Sequence, residues 1–185
     1  MQLRTRFTST VLATVGGAML TLGVAAPPAA AALPSASAAS PAQAGGWQRY
    51  HAQSFTTAAG DLCPFKLHSE VLFDREYVRT TRTYADGSPR TQEFVGPLVV
   101  RIVNRESGRA VIRDLSGRAV VVYHRNGSFD FRIQGPAAVG FHPGDSLRPG
   151  YYVLRGEHVV HFAADGTRTL TVDRGSEENL CTTLS

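Results

Sequence analysis

The sequence predicts an all-β fold: an antiparallel meander closed, or nearly closed, into a barrel, with a two-sheet β-sandwich as the alternative. Two observations carry this. After Gly46 no stretch keeps its apolar residues at helical spacing. Instead, short β-branched and aromatic runs alternate with turn signals at an even rhythm: ADGSP, ESG, LSG, NG, RPG, RG and DG. Short strands punctuated in this way build sandwiches and barrels.

The chain divides into three parts. Residues 1–32 have the layout of a secretory signal peptide: Arg4 and Arg6 make a basic start, Val11 to Val24 an apolar run, and Ala30 and Ala32 a small-residue cleavage site. The run is shorter than the roughly 20 apolar residues of a membrane helix, so no stable membrane anchor is expected after signal removal. Residues 33–46, LPSASAASPAQAGG, carry no charge and no bulky periodicity. Such a segment buries too little apolar surface to offset its chain entropy and reads as a flexible linker. Residues 47–185 are long enough for a single β domain with a sizeable core. The expected location is secreted, outside the cell.

The two cysteines, Cys63 and Cys181, flank most of that domain. In an oxidising compartment they form one bridge and leave no thiol over. A pair without CxxC spacing makes a poor zinc signature. Removing residues 1–32 takes away two arginines and no acid, so the formal charge falls from +4 to +2. That is too little for the concentrated basic surface nucleic acid requires, and no nucleic-acid partner is expected.

The expected strands are 65–72, 76–84, 90–95, 98–105, 109–114, 118–125, 128–134, 137–141, 151–154, 157–163 and 168–173. Asn126-Gly127 reads as a two-residue hairpin loop, since a type I′ turn needs positive φ twice. It sets Val122 opposite Phe131 and His124 opposite Phe129. Three-residue loops at ESG and LSG then place Val100, Ile102, Ala110, Ile112, Val120, Val122, Phe129, Phe131 and Ile133 on one core face. The other face carries Arg101, Arg105, Arg109, Arg113 and Arg132, with Val103, Val111, Val121, Tyr123 and Asp130. It reads as a solvated surface, with an anion-binding surface as the sharper alternative.

The histidines of GEHVVHF are three apart, so on a strand they point to opposite faces. A two-residue Asp165-Gly166 turn sets His158 opposite Asp173, as a surface hydrogen bond, and His161 opposite Leu170. His161 and His124 then fall on the core face. The functional reading is a ligand pocket in which they join Phe129, Phe131 and Tyr152; the plainer one is two histidines satisfied by neighbouring polar groups. No third ligand is placed beside them, so no metal is expected. Glu70, Asp74 and Glu76 lie close together, but a strand and its turn hold acids without catalysis. Nucleophile elbows, HExxH motifs, P-loops and dinucleotide fingerprints do not occur, and no cofactor is implied.

The Ala-rich leader, DLCPF, the Arg-rich strands and the closing ENLC resemble uncharacterised secreted proteins of actinobacterial type. The resemblance implies export and a terminal disulfide, and transfers no activity. Three functions remain open: a module binding a small apolar ligand or a cell-envelope component, a structural or interaction protein with a filled core, and an enzyme using an interior histidine as general base.

Overall fold

The computed structural model describes residues 45–185; the expected signal at 1–32 and residues 33–44 of the expected linker lie outside them. The described strands are β1 (Gln48–Arg49), β2 (Phe55–Thr57), β3 (Leu67–Asp74), β4 (Tyr77–Thr83), β5 (Pro89–Gly96), β6 (Leu98–Asn104), β7 (Ala110–Asp114), β8 (Gly117–Tyr123), β9 (Phe129–Gln134), β10 (Ala137–Phe141), β11 (Gly150–Phe162) and β12 (Arg168–Asn179). A helical turn, α1 (Leu180–Thr183), ends the chain.

All the pairings are antiparallel, in two sheets. The small sheet runs β2-β3-β6-β7. The large one runs β1-β4-β5-β8-β9-β11, with β10 continuing beside β11 and β12 on the other edge of β11. The sandwich is therefore the form adopted, and the closed barrel is not. The reason lies in the connections. The chain leaves the small sheet after β3, returns to it for β6 and β7, and leaves again before β8. LSG, read above as a hairpin loop, is that last crossover: the Leu115 N–H donates to Leu98 O at 2.8 Å, and the Ser116 hydroxyl accepts the Leu98 N–H at 3.1 Å. Leu115 is buried between the layers, so β7 never pairs with β8.

Three hairpins, at Asn126-Gly127, ESG and Asp165-Gly166, are also one residue longer in the loop than expected. The His124 N–H bonds Ser128 O, and the Gly127 N–H bonds His124 O. This is a three-residue loop, Arg125-Asn126-Gly127, closed by a left-handed glycine (φ 86°). It sets Val121 opposite Phe131 and Tyr123 opposite Phe129. Because strand side chains alternate, that single step reverses the face of all of β8. Ala119 and Val121 point into the core; Val120, Val122 and His124 do not. At ESG the register pairs Ile102 with Val111, which turns Ala110 and Ile112 outward and Val111 and Arg113 inward. Ile112 is 58% exposed.

The expected break between 154 and 157 is a bend within one long strand. Gly156 has φ 118° and pairs with Gly175. A Cβ on Gly156 would strike the Arg174 carbonyl, and one on Gly175 the Arg155 carbonyl, so only this glycine pair lets the two strands turn together. Two apolar clusters lie on opposite sides of β11: Tyr151 and Val153 pack with Leu67, Val100 and Ile102, while Tyr152 and Leu154 pack with Ile133, Val139 and Phe141.

The C-terminus is pinned into the first cluster. The Cys63–Cys181 disulfide closes a separation of 118 residues, worth about 5 kcal/mol in the chain-entropy account. Asn179 caps α1 by accepting the Cys181 N–H at 2.9 Å. Leu180 and Leu184 are fully buried, and the Asn104 side chain donates to Leu184 O at 3.1 Å. Nearby, Arg113 of β7 grips Glu178 of β12 through Nε (2.8 Å) and Nη2. Arg113 is thus a tie between the sheets, not a residue of the solvated face.

Candidate functional site

An apolar cleft of about 460 Å³ lies between the sheets. Alternation builds both walls. Phe94 of β5, Ala119 and Val121 of β8, Phe129 and Phe131 of β9 and Phe162 of β11 come from the large sheet; Phe55, Ser69, Val71, Leu98 and Val100 come from the small one. Tyr151 and Ala138 complete one end, Tyr50 and Glu76 the other. The rings brace one another. Phe129 stacks on Phe162 at 4.4 Å, while Tyr50 meets Phe94 and Phe55 meets Tyr151 edge-on at 5.2 and 5.6 Å. Paired rings of this kind hold an apolar wall in place.

Glu76 is the polar exception. Its backbone is fixed on both sides: its N–H donates to Asp74 Oδ1 at 2.8 Å, and its carbonyl accepts from the Tyr50 N–H at 3.0 Å and from Arg49 Nη1 at 3.1 Å. Gly96 lets the end of β5 pass against this turn, since a Cβ there would collide with the Arg75 carbonyl. One of its side-chain oxygens is left unpaired: Oε2 is buried and has no hydrogen-bond partner among the described residues. Burial, reinforced by the Asp74 charge and only partly opposed by Arg49, pushes the carboxyl up to about 7.

Of the residues the sequence nominated, Phe129 and Phe131 line this cleft. Tyr152 does not: it faces the second cluster, edge-on to Phe141 at 5.5 Å, with its hydroxyl donating to Arg148 O. His124 and His161 are brought together, with ring centroids 6.3 Å apart, but on the outer face of the large sheet. The one-residue shifts at the Asn126-Gly127 and Asp165-Gly166 hairpins put them there, and His161 sits opposite Thr169, not Leu170. Asp130 lies between them: His161 Nδ1 is 2.7 Å from Oδ1, and His124 Nε2 is 3.2 Å from Oδ2. Burial raises the Asp130 carboxyl, but the bonds from His161 and His124 outweigh it and hold the group below the usual range.

His158 does pair with Asp173 in register, restored by a bulge at Thr171, yet its ring is fully buried. Nε2 lies 3.2 Å from Arg155 O; Nδ1 faces Asp173 at 3.3 Å without hydrogen-bond geometry. The interior histidine is therefore His158, inward because it shares a face with Val160 and Ile133. What sequence reasoning passed over was the inner role of Glu76. The available signal was its position: it immediately precedes β4, two residues after Asp74, an acid already committed to the turn.

No known protein family, curated protein or solved structure matches this chain.

Proposed function

We propose that this protein is an exported binding module that takes a small apolar ligand, or the apolar part of a cell-envelope component, between its sheets. The observation that carries the reading is the aromatic cleft ending in the unpartnered Glu76 carboxyl oxygen. Pockets of about 300–1,000 Å³ with apolar walls and few polar groups are the usual form of small-molecule sites. A buried polar atom left unpaired costs free energy that a ligand can return. The occupant is an apolar body with one polar end. A protonated Glu76 donates to its carbonyl or ether oxygen; an ionised one accepts from its hydroxyl or amide.

Export rests on the leader and on the Cys63–Cys181 bridge, a bond that persists in oxidising compartments. An open cleft favours binding over a purely structural role with a filled core. The catalytic reading through His124 or His161 draws no support from their place outside the cleft.

The test is a titration of the mature protein with the neutral fluorescent probe phenylnaphthylamine. Saturable enhancement that Ala138→Phe abolishes, with folding intact by circular dichroism, is the expected result. Equal enhancement in both proteins would remove the cleft as the site.

A further inference from the structure

We propose that His124, Asp130 and His161 form a binding site for a divalent transition-metal ion on the outer face of the large sheet. Three adjacent strands supply it. Asp130 of β9 pairs in register with His161 of β11, and His124 follows β8 on the same face, opposite Ser128. Directly opposed positions on neighbouring strands bring side chains to about 5 Å, which suits ligands sharing one ion. One donor atom from each residue lies within 4.8 Å of the other two.

The approach is already arranged. Each imidazole presents a different nitrogen to a different Asp130 oxygen, Nδ1 of His161 to Oδ1 and Nε2 of His124 to Oδ2. The protons in those contacts occupy the place an ion would take. The side chains are open to solvent to 41%, 35% and 21% for His124, His161 and Asp130, so an ion enters without unfolding the sheet. Two imidazoles and a carboxylate make a donor set for Zn²⁺, Cu²⁺ or Ni²⁺, and a poor one for Mg²⁺ or Ca²⁺, which take oxygen. Three protein ligands leave coordination positions free for water or another ligand, as in open zinc sites.

The site is independent of the cleft, which opens on the other face of the same strands. Asp130 is the ligand the sequence did not supply. It sits on the outward side of β9 between Phe129 and Phe131, and only the true hairpin register brings His124 and His161 to that side.

The experiment is calorimetric titration of tag-free mature protein with Zn²⁺, with Mg²⁺ as the comparison. The expected result is one Zn²⁺ per chain with micromolar affinity and no Mg²⁺ uptake. His161→Ala and Asp130→Asn each weaken Zn²⁺ binding by about tenfold or more, while thermal unfolding stays cooperative. Long-range ¹H–¹⁵N imidazole spectra of the wild type provide a reading that needs no variant: Zn²⁺ shifts the His124 and His161 ring nitrogens, and leaves those of His51, His68 and His142 in place. Binding unchanged in both variants, or shifts confined to the other histidines, would overturn the assignment, as would no Zn²⁺ uptake by the wild type.

Discussion

The two faces of β8, β9 and β11 are built from alternate residues of the same three segments, and they differ in kind. The inner face presents Ala119, Val121, Phe129, Phe131 and Phe162 to an apolar cleft. The outer face presents Asp130, Arg132 and His161, with Val120 and Val122 beside them. The two sets alternate along the same strands, so parity assigns each residue to its face. One residue of loop length at Asn126-Gly127 decides which residues of β8 join the dry set.

The largest test of the frame beneath both faces is the disulfide. Cys63→Ser with Cys181→Ser should lower unfolding free energy by about 4–5 kcal/mol, read by urea denaturation. A loss under about 1 kcal/mol would mean that Leu180, Leu184 and Asn104 hold the C-terminus unaided.

The face assignment is tested by a matched pair. Val121→Asp buries a charge facing Phe131 and should cost about 3 kcal/mol or more. Val120→Asp, one residue earlier and opposite Arg132, should cost less than about 1 kcal/mol. Equal losses would break the comparison, and a reversed order would restore the two-residue loop read from the sequence.

Smaller effects separate the ties at the two ends of the sandwich. Hydrogen bonds from Arg113, reinforced by the guanidinium charge and by Arg155 and Thr183, hold Glu178 at about 2, below its ordinary 4.5. Its contribution is complete above pH 4.5 and is lost as pH falls towards 2. Screened by the solvent that reaches it, the pair is worth roughly 1–2 kcal/mol. Glu178→Gln should therefore flatten the acid side of a stability–pH curve over that window.

Glu76 acts with the opposite sign. The native state keeps its proton up to about pH 7, whereas the unfolded chain releases it near 4.5. Stability from this group falls as pH rises between those values, and Glu76→Gln should remove that slope. An unchanged slope would mean that Glu76 reaches water and that the cleft has no polar end.

Much of the frame was legible beforehand. Strand positions from β3 to β10 followed from β-branched runs and turn residues, and β10 was placed at both ends. The disulfide followed from counting two cysteines in a chain whose leader reads as an export signal. Register was not legible, because a glycine after Asn126 serves a two-residue type I′ loop and a three-residue loop with a left-handed glycine equally well. Nor was the crossover at Leu115. LSG has turn chemistry whether the next strand pairs with its neighbour or joins the other sheet, and only the packing of Leu115 between the layers decides.

These failures explain the split in the nominated site. Phe129 and Phe131 kept their places, since β9 was assigned the correct inner parity. His124 and His161 lost theirs to the one-residue shifts in β8 and β11. Tyr152 faces inward too, but β11 separates two clusters, and parity along that strand puts Tyr151 beside the cleft instead.

The central claim is that the cleft holds an apolar ligand, and native mass spectrometry of the protein purified from culture medium tests it most directly. The account predicts an added mass on the wild type that survives native conditions, leaves on denaturation and is missing from Ala138→Phe. A bare wild-type mass, together with no probe binding to the cleft, would contradict it.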